Sequence, residues 1–402
     1  MDYQESNFIP FSRPLIGEEE ERAVLEVMRS GWLTTGKVTA SFEKEFAAFL
    51  GTDYAIAVNS ASSGLTLAME ACGVRDRCII TTPYTFTSTA SSARHLNAEV
   101  VYADTAKDSY NINPAEIEKK LKENGAVRAI VPVHIAGLPC PMDEIQEIAR
   151  KYDVYVIEDA AHAFPSKIDS GIGGSSGTFG SHYAGTIGDA GVFSFYATKT
   201  ITTGEGGMIA TNNEELASRM RLMSMHGIDR PVWDRYTSKK ASWEYDVVEA
   251  GYKCNMPDIL AAIGREQLKR AEELFRQRTE IAGMYNEAFK QYGFLRIPPD
   301  GPGNAWHLYL LRIVPEKLNI QRNEFSALLQ ERGIGTSMHF IPHFRLSYWK
   351  NRYSLNHEDF PHAERQFQST ISLPLCPGMT EEMVQKVIDT VIQTGKEHYG
   401  RP

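Results

Sequence analysis

The sequence predicts an α/β protein, with a large N-terminal domain built on a mostly parallel sheet and a smaller C-terminal α/β domain. Apolar runs alternate with helical patterns through the first half of the chain, and continuous apolar runs are typical of parallel strands covered on both faces. The chain has 402 residues, more than one ordinary hydrophobic core contains. The composition changes after the segment PPDGPG. We therefore expect two domains, residues 1–260 and 261–402.

In the first half, strand and helix patterns follow one another in order. Two amphipathic helices come first, and Gly31 and Gly51 end them. The strand patterns then cover residues 54–58, 78–83, 99–104, 127–135, 153–160, 191–197 and 206–211. The helix patterns cover residues 62–73, 88–96, 113–125, 141–152 and 213–227. Residues 166–185, rich in Gly and Ser, interrupt this order and predict a surface loop.

The second half begins with one long helical pattern. It extends for ~38 residues from Met256 to Gly293, which exceeds the usual length of a globular helix, so we expect either a bend within it or a helix that connects the two domains. A smaller α/β unit follows, because strand and helix patterns alternate again. Its predicted strands are 308–314 and 337–340, and its predicted helices are 322–335 and 380–399.

The composition argues against several classes of protein. The formal charge of −9, with 42 basic and 51 acidic residues, argues against a nucleic-acid partner. No apolar run approaches the roughly 20 residues that cross a bilayer, and the N-terminus lacks the basic and apolar regions of a signal peptide. The 5 cysteines are odd in number and form no CxxC motif, so neither disulfides nor a zinc site is expected. We expect a cytoplasmic protein without a membrane partner.

The segment FSFYATKTITTGEGG contains the first candidate catalytic residue. Lys199 follows an apolar strand and lies among small and hydroxyl residues, where its side chain is expected to lose water. Most lysines are exposed and have no catalytic role. Desolvation, however, disfavours the ammonium and lowers the pKa of the amine. A neutral amine is the form that makes a Schiff base with an aldehyde.

A second candidate group lies in VIEDAAHA. Asp159 ends a buried strand, at the edge where open parallel sheets bind ligands. One interpretation is a helix cap or a ribose contact, but the first strand lacks a G-x-G-x-x-G motif. The other interpretation is a carboxylate that pairs with a protonated pyridine nitrogen. His162 is either a buried core histidine or a neighbour of the same pocket.

Hydroxyl residues at the helix pattern 62–73 form a third candidate group. The N–H groups of a helix N-terminus, with Ser62 and Ser63, would bind a phosphate, although serine there is more often only a helix cap. Ser194, close before Lys199, adds a further hydroxyl. A phosphate site, a carboxylate at a strand end and a desolvated lysine together predict pyridoxal 5′-phosphate as the cofactor.

These motifs resemble the DegT/DnrJ/EryC1/StrS family of sugar-nucleotide aminotransferases. Matching stretches extend in order over nearly the whole chain, among them SGWLTTGKVTASFEKEFAAFLG, TTPYTFTSTA, VIEDAAHA, FSFYATKTITTGEGGMIAT and LLQERGIGTSMHF. GYKCNMPD and AWHLYLLRI are most similar to the branch that aminates UDP-linked 4-keto sugars, such as the UDP-4-amino-4-deoxy-L-arabinose aminotransferase. The resemblance implies the fold type I of pyridoxal-phosphate transferases, which is aspartate aminotransferase-like, in a homodimer with shared active sites. It further implies a nucleotide-linked keto sugar, expected to be a 4-keto sugar, as acceptor and glutamate as amino donor.

The resemblance also implies roles for individual residues around the cofactor ring. Lys199 forms the Schiff base and transfers protons, and Asp159 pairs with the pyridine nitrogen. His162 matches the residue beside the ring hydroxyl, and Phe86 matches the aromatic residue that packs on the ring. The candidates for substrate binding are His339, Trp32 and Thr34.

The phosphate contacts of the family match Ser62, Ser63 and Ser194. A further contact comes from the other subunit in the family, and either Lys253 or Asn255 fits that position. Residues 166–185 depart from the family because they are longer and richer in Gly and Ser, which suggests an effect on substrate specificity.

Four alternative functions are less consistent with the sequence. Sugar dehydratases of the same family have histidine at the position of Lys199, and a non-catalytic regulator would not need Lys199 and Asp159. A nicotinamide oxidoreductase lacks its glycine motif here. A metal site at His339 and His343 is disfavoured because Phe-Ile-Pro between them prevents a regular helical pair. Amination at C3 rather than C4 of the sugar remains open.

Overall fold

The computed structural model describes residues 8–170, 180–229 and 244–400. The strands of this part are β1 Tyr54–Val58, β2 Cys78–Thr81, β3 Glu99–Tyr102, β4 Val127–Ile130, β5 Tyr155–Asp159, β6 Lys167–Ser170, β7 Gly180–Tyr183, β8 Ala190–Ser194, β9 Gly207–Thr211, β10 Leu295–Arg296, β11 Tyr309–Ile313 and β12 Thr370–Leu373. Its α-helices are α1 Glu18–Ser30, α2 Lys37–Leu50, α3 Ala61–Ala71, α4 Thr87–His95, α5 Pro114–Glu123, α6 Met142–Tyr152, α7 Glu214–Met223, α8 Asp258–Lys269, α9 Ala271–Phe289, α10 Arg322–Glu331, α11 Ser347–Tyr353, α12 Pro361–Ser369 and α13 Glu381–Glu397.

The main sheet has seven strands in the order β1-β9-β8-β5-β4-β2-β3. Strand β9 is antiparallel to both of its neighbours, whereas the other pairs in the sheet are parallel. Every strand of this sheet except β9 therefore runs in the same direction, and the carboxyl ends of these strands meet at one edge. This arrangement confirms the predicted α/β fold with a mostly parallel sheet.

Helices cover both faces of the main sheet, which explains the continuous apolar runs of its strands. On one face, Val192 and Ile209 belong to a buried cluster that includes residues of α3. On the other face, Phe193 and Met208 belong to a cluster that contains Phe46 of α2. Adjacent residues of β8 and β9 thus point to opposite faces, and both faces are apolar.

A second sheet, β10-β11-β12, is antiparallel and lies in the C-terminal part of the chain. Its core joins α9, β11 and α13 through buried side chains such as Tyr285, Leu311 and Val387. The domain boundary between residues 260 and 261 stays a prediction, and this position falls within α8.

The long helical pattern has the expected bend: it is two helices, because the chain leaves helical geometry at Arg270, between α8 and α9. Two other predicted segments differ from the sequence-based expectation. Residues 337–340 form no strand, and only Ser337 bridges to Ser372 of β12. The ends of the segment 166–185 pair as the antiparallel strands β6 and β7 rather than forming a loop throughout, while residues 171–179 lie outside the described part. β6 and β7 are held by hydrogen bonds between their backbones, although their sequences lack alternating apolar residues.

Within the part of the chain that the structure describes, no helix combines the length and the apolar character that a membrane span requires.

The buried carboxylate of Asp258 caps α2, although it is distant in sequence. Its Oδ1 accepts hydrogen bonds from the N–H groups of Gly36 (2.7 Å) and Thr39 (2.9 Å) and from the Thr39 hydroxyl (2.6 Å). Its Oδ2 accepts from the N–H of Val38 at 3.2 Å. One side chain therefore satisfies the donors that a helix N-terminus leaves unpaired, and it fixes the segment before α2.

We expect Asp258→Ala to lower the free energy of unfolding by about 2–3 kcal/mol, because several buried donors lose a charged acceptor at once. Urea denaturation at neutral pH would measure the loss. Asn213→Ala is the matched control, since Asn213 caps α7 by accepting one N–H, that of Leu216 at 3.1 Å, and should cost about 1 kcal/mol. Equal losses in the two variants would contradict this assignment.

Candidate active site

The sequence-predicted site residues come from neighbouring strands at the carboxyl edge of the main sheet. Strand β8 ends at Ser194 and leads to Lys199, whereas β5 ends at Asp159 and leads to His162. Strand β1 ends at Val58 and leads into α3. Since β1, β8 and β5 run in the same direction, these segments lie on the same side of the sheet, which is where open α/β sheets bind ligands.

Lys199 lies in a tight turn after β8. Its N–H donates to the carbonyl oxygen of Tyr196 at 2.9 Å. Lys199 is half-buried, and this loss of hydration lowers the pKa of its amine to about 8, with the nearby charge of Asp159 raising the pKa and that of Arg278 lowering it. Among the described residues the amine has neither a hydrogen bond nor a salt bridge. A half-buried lysine without a partner, with a substantial neutral fraction near pH 8, is suited to attack a carbonyl carbon.

Asp159 is buried, with 3% of its surface exposed. Its Oδ2 accepts a hydrogen bond from the Thr89 hydroxyl at 2.8 Å, and its Oδ1 accepts the N–H of Ala161 at 3.2 Å. Burial raises the pKa of this carboxyl, while these bonds and the charge of Lys199 oppose the rise. The carboxylate is therefore oriented by two donors, and a cationic ligand group would stabilise its ionised form.

His162 is buried next to the lysine and is neutral. The N–H of Ala136 donates to its Nδ1 at 3.3 Å, so the ring proton is on Nε2. Burial lowers the pKa of His162 well below its usual value, and the charge of Lys199 adds to this effect. The ring of His307 lies 4.4 Å away, and the ring of Phe340 stacks at 5.5 Å. The Nε2–H finds no hydrogen-bond partner within the described ranges.

The N-terminus of α3 differs in one respect from the predicted phosphate site. Ser60, which the sequence reading did not single out, is the N-cap, and its Oγ accepts the N–H of Ser63 at 3.1 Å. The Ser63 hydroxyl lies 3.1 Å from the same Oγ. Ser62 is exposed at the first turn of the helix. Because the N–H of Ser63 is already bonded to Ser60, only its hydroxyl could bind a phosphate. Ser62 could bind a phosphate through both its hydroxyl and its N–H.

Close packing brings this helix end against the strands that lead to the lysine. A Cβ at Gly64 would lie 2.8 Å from Cγ1 of Val192, and one at Gly207 would lie 2.7 Å from the backbone nitrogen of Ala61. Glycine is required at both places, because a Cβ would push α3 away from β8 and β9. The half-buried Ser194, whose Oγ accepts the N–H of Tyr196 at 3.4 Å, ends β8 at this level.

The predicted ring and substrate residues extend from the histidine outward. Phe86 is exposed before α4, and its ring lies 5.9 Å from that of Phe340, which in turn stacks on His162. His339 stacks on Phe11 at 5.2 Å, and its Nδ1 lies 2.9 Å from the Ser372 hydroxyl. Burial lowers the pKa of His339 to about 4, and the charge of Lys199 contributes. Phe86 is thus linked to His162 through the ring of Phe340, and His339 is linked to Lys199 through the effect of the lysine charge on its pKa.

A second group gathers Trp32, Thr34, Lys253 and Asn255 around the segment before α2. Asn255 donates from Nδ2 to the Thr35 hydroxyl at 2.6 Å, and Trp32 donates from Nε1 to the Thr35 carbonyl at 3.2 Å. The ammonium of Lys253 pairs with Oδ1 of Asn255. Thr34 is exposed. Asn255 bridges to Val58 at the end of β1, so the group adjoins the entry to α3.

Several residues of the site were missed by the sequence reading. Thr89 lies in the segment TTPYTFTSTA, and its hydroxyl donates to Asp159. The hydroxyl residues of this segment are the only feature of the sequence that could have indicated this contact. His307 is buried beside His162, and its Nδ1 has no hydrogen-bond partner among the described residues. Arg278 is buried next to Lys199. The sequence predicted only that it lies in a helix and gave no indication of a chemical role.

Glu158 is another buried group that the sequence did not reveal. Its carboxylate accepts the N–H groups of Gly185 (2.8 Å), Ile187 (2.7 Å) and Gly188 (2.6 Å), and it lies 2.9 Å from Nε2 of His134. These bonds tie the turn before β8 to β5. Glu158 thereby fixes the strand ends from which Asp159 and Lys199 project.

These residues fit pyridoxal phosphate. A half-buried amine without a hydrogen bond among the described residues could bind its aldehyde, and a buried carboxylate with two fixed donors could face its ring nitrogen. A helix N-terminus with exposed hydroxyls could receive its phosphate. Across the described ranges there is no group of three or more His, Cys, Asp or Glu residues that could hold a metal ion.

Comparison with known proteins agrees with this chemistry. The model of the DegT/DnrJ/EryC1/StrS aminotransferase family matches residues 14–392. SpsC of Bacillus subtilis (strain 168), a spore coat polysaccharide biosynthesis protein, is 42% identical over 395 residues, which are 97% of this chain and 98% of SpsC.

Solved structures of sugar aminotransferases have the same fold. Spr1654 of Streptococcus pneumoniae is 28% identical and has a TM-score of 0.88 in its PMP form, with 97% of this chain and 99% of that chain covered. It was also solved in a PLP form. PseC of Helicobacter pylori, an aminotransferase involved in the biosynthesis of pseudoaminic acid, is 28% identical and has a TM-score of 0.87, with 97% and 100% of the chains covered. With a family match over nearly its whole length, the chain belongs to the DegT/DnrJ/EryC1/StrS family of pyridoxal-phosphate-dependent sugar aminotransferases.

Proposed function

We propose that this aminotransferase moves an amino group from glutamate to the C4 ketone of a nucleotide-linked sugar. The family supports a sugar substrate. The printed roles of SpsC and PseC, in polysaccharide and in pseudoaminic acid biosynthesis, support an amino-sugar product. The GYKCNMPD and AWHLYLLRI motifs favour the branch that uses UDP-linked 4-keto sugars. The central observation is the desolvated, unpaired amine of Lys199 near the buried carboxylate of Asp159.

Pyridoxal phosphate, when bound, supplies an aldehyde that exchanges amino groups and a ring that withdraws electrons from the reacting carbon. In the proposed mechanism, the neutral amine of Lys199 would hold the cofactor through its aldehyde until the amino donor took that place. Lys199 Nζ would then accept a proton from the donor carbon and return it in the transfer. With the keto sugar, Lys199 moves the proton in the reverse direction.

The other residues of the site would orient the cofactor. Asp159, held by Thr89 and the N–H of Ala161, would keep the ring nitrogen protonated by ion pairing. His162 would donate its Nε2–H to the ring hydroxyl, since its Nδ1 is already engaged by Ala136. Phe86 would pack on the ring.

The phosphate would bind at the N-terminus of α3, through the side chains of Ser62, Ser63 and Ser194. Either Lys253 or Asn255 would add a contact from the second subunit of a homodimer. Exposed apolar side chains near these segments, Leu33 (48%), Phe86 (57%) and Tyr196 (48%), support such an interface. We further propose a cytoplasmic enzyme in which Trp32, Thr34 and His339 contact the sugar nucleotide.

Amination of the sugar at C3 instead of C4 is the alternative, because the same cofactor site would serve either reaction. The intact Lys199 disfavours a sugar dehydratase, because the dehydratase branch replaces this lysine with histidine.

The segment 166–185 adjoins β5 and β8, so we propose that its length affects the choice of sugar.

A substrate panel tests the proposal. The enzyme would be incubated with glutamate and with UDP-, GDP- and dTDP-linked 4-keto and 3-keto sugars, and the products would be identified by mass spectrometry and proton NMR. We expect a UDP-linked 4-keto sugar to be the best acceptor by at least about tenfold in kcat/KM, the discrimination that one well-placed polar contact provides. Preference for a 3-keto sugar would contradict the C4 assignment, and no product from any keto sugar would contradict the proposed reaction.

A further inference from the structure

Arg278 is a buried cation that the proposed mechanism does not use. It lies on α9, and only 1% of its surface is exposed. Its Nη1 donates to the carbonyl oxygens of Leu375 (2.9 Å), His307 (3.1 Å) and Trp306 (3.4 Å). Its Nη2 donates to the carbonyl oxygen of Thr198 at 3.4 Å. The guanidinium therefore joins the residue before Lys199 to chain segments beside β11 and β12.

No carboxylate within the described ranges pairs with this guanidinium, and its Nε has no hydrogen-bond partner there. A buried charge without a counter-ion is costly, because carbonyl dipoles replace only part of the lost hydration. Burial accordingly lowers the pKa of Arg278 to about 10. The guanidinium nevertheless keeps its charge, because arginine is not deprotonated in proteins.

The charge of Arg278 acts on Lys199. Of the groups that face the amine, His162, His307 and His339 are neutral, because burial lowers the pKa of each. Two charges remain: Asp159, which raises the pKa of Lys199, and Arg278, which lowers it.

We propose that Arg278 is a positioning residue that holds the peptide of Lys199 through the Thr198 carbonyl and presents a fixed positive charge that favours the neutral amine. This inference rests on the proposed role of Lys199.

The test measures the amine without relying on turnover. The full-length apoprotein would be treated with a small amine-modifying reagent across pH, and the modification of Lys199 would be quantified by peptide mass spectrometry. In the wild type we expect a midpoint near pH 8, the pKa to which burial lowers Lys199. In Arg278→Gln, which keeps two N–H donors for the carbonyls but removes the charge, we expect the midpoint to rise by about one unit, as for a like charge several ångströms away.

Two further variants separate charge from structure. Arg278→Lys keeps the charge, so its midpoint should stay close to the wild-type value although the contact to Thr198 weakens. Arg322→Gln is the matched control, because Arg322 is also buried and donates to a carbonyl, that of Thr370 at 3.1 Å, but does not contribute to the pKa of Lys199. Unchanged midpoints in Arg278→Gln, or an equal rise in Arg322→Gln, would overturn the proposal. A wild-type Lys199 that titrates like an exposed lysine, by contrast, would count against the proposed role of Lys199 itself.

Discussion

Lys199→Ala should lower kcat for amino transfer by at least about 1,000-fold, because the substitution removes the group that is proposed both to bind the cofactor covalently and to transfer the proton. The position of Lys199 is well defined, because its N–H fixes the turn after β8. Its amine makes no hydrogen bond or salt bridge among the described residues. The variant should still bind pyridoxal phosphate, since the proposed phosphate and ring contacts remain. Steady-state kinetics with glutamate and the best keto sugar of the panel would measure the loss.

Two controls make this result specific. Lys199→Arg keeps a positive charge and a similar length but stays protonated, so it should be as inactive as the alanine variant. Lys290→Ala removes an exposed lysine that pairs with Glu287 on the surface and should retain full activity. If Lys199→Ala retained more than about a tenth of the wild-type kcat, another residue would have to act as the base.

Asp159→Asn should lower kcat by about 100- to 10,000-fold, the range over which a positioned proton-transfer or charge-stabilising group contributes. Asparagine keeps the size and one acceptor for Thr89 or Ala161 but cannot stabilise a protonated ring nitrogen. Thr89→Val is the matched control. It removes one of the two donors to the carboxylate and leaves the charge, so it should cost about tenfold or less.

The stability of the Asp159→Asn apoprotein provides an independent check. Burial raises the pKa of Asp159 in the folded protein above its value in the unfolded chain. The folded state therefore binds this proton more tightly, and ionisation of Asp159 lowers the free energy of unfolding as pH rises through the unfolded and then the folded pKa. At neutral pH the neutral asparagine should leave the apoprotein at least as stable as the wild type, while activity is lost. A destabilised variant with normal activity would contradict the assignment of a catalytic role.

The sequence predicted the main sheet and the members of the site that follow its strands. Lys199, Asp159 and His162 could be found because each follows an apolar run that ends at the ligand-binding edge. The strand order could not be read from the sequence, since β9 inserts antiparallel between β1 and β8 through pairing of distant segments. The same holds for β6 and β7, whose polar sequences pair through backbone groups.

Residues that act through distant contacts were also invisible in the sequence. Asp258 caps a helix more than 200 positions away in the chain, and Arg278 reaches the carbonyl of Thr198 from α9. Ser60 was overlooked because consecutive serines compete for the cap, and only backbone geometry decides among them. In each case the chemistry depends on the close approach of separate elements, which apolar periodicity does not encode.

The most direct test of the central claim is to locate the covalent bond to the cofactor. The purified protein would be saturated with pyridoxal phosphate, reduced with borohydride, digested and mapped by mass spectrometry. We expect a single pyridoxyl-phosphate adduct on Lys199, close to one per chain. An adduct on a different lysine, or a protein that takes up no pyridoxal phosphate, would contradict it.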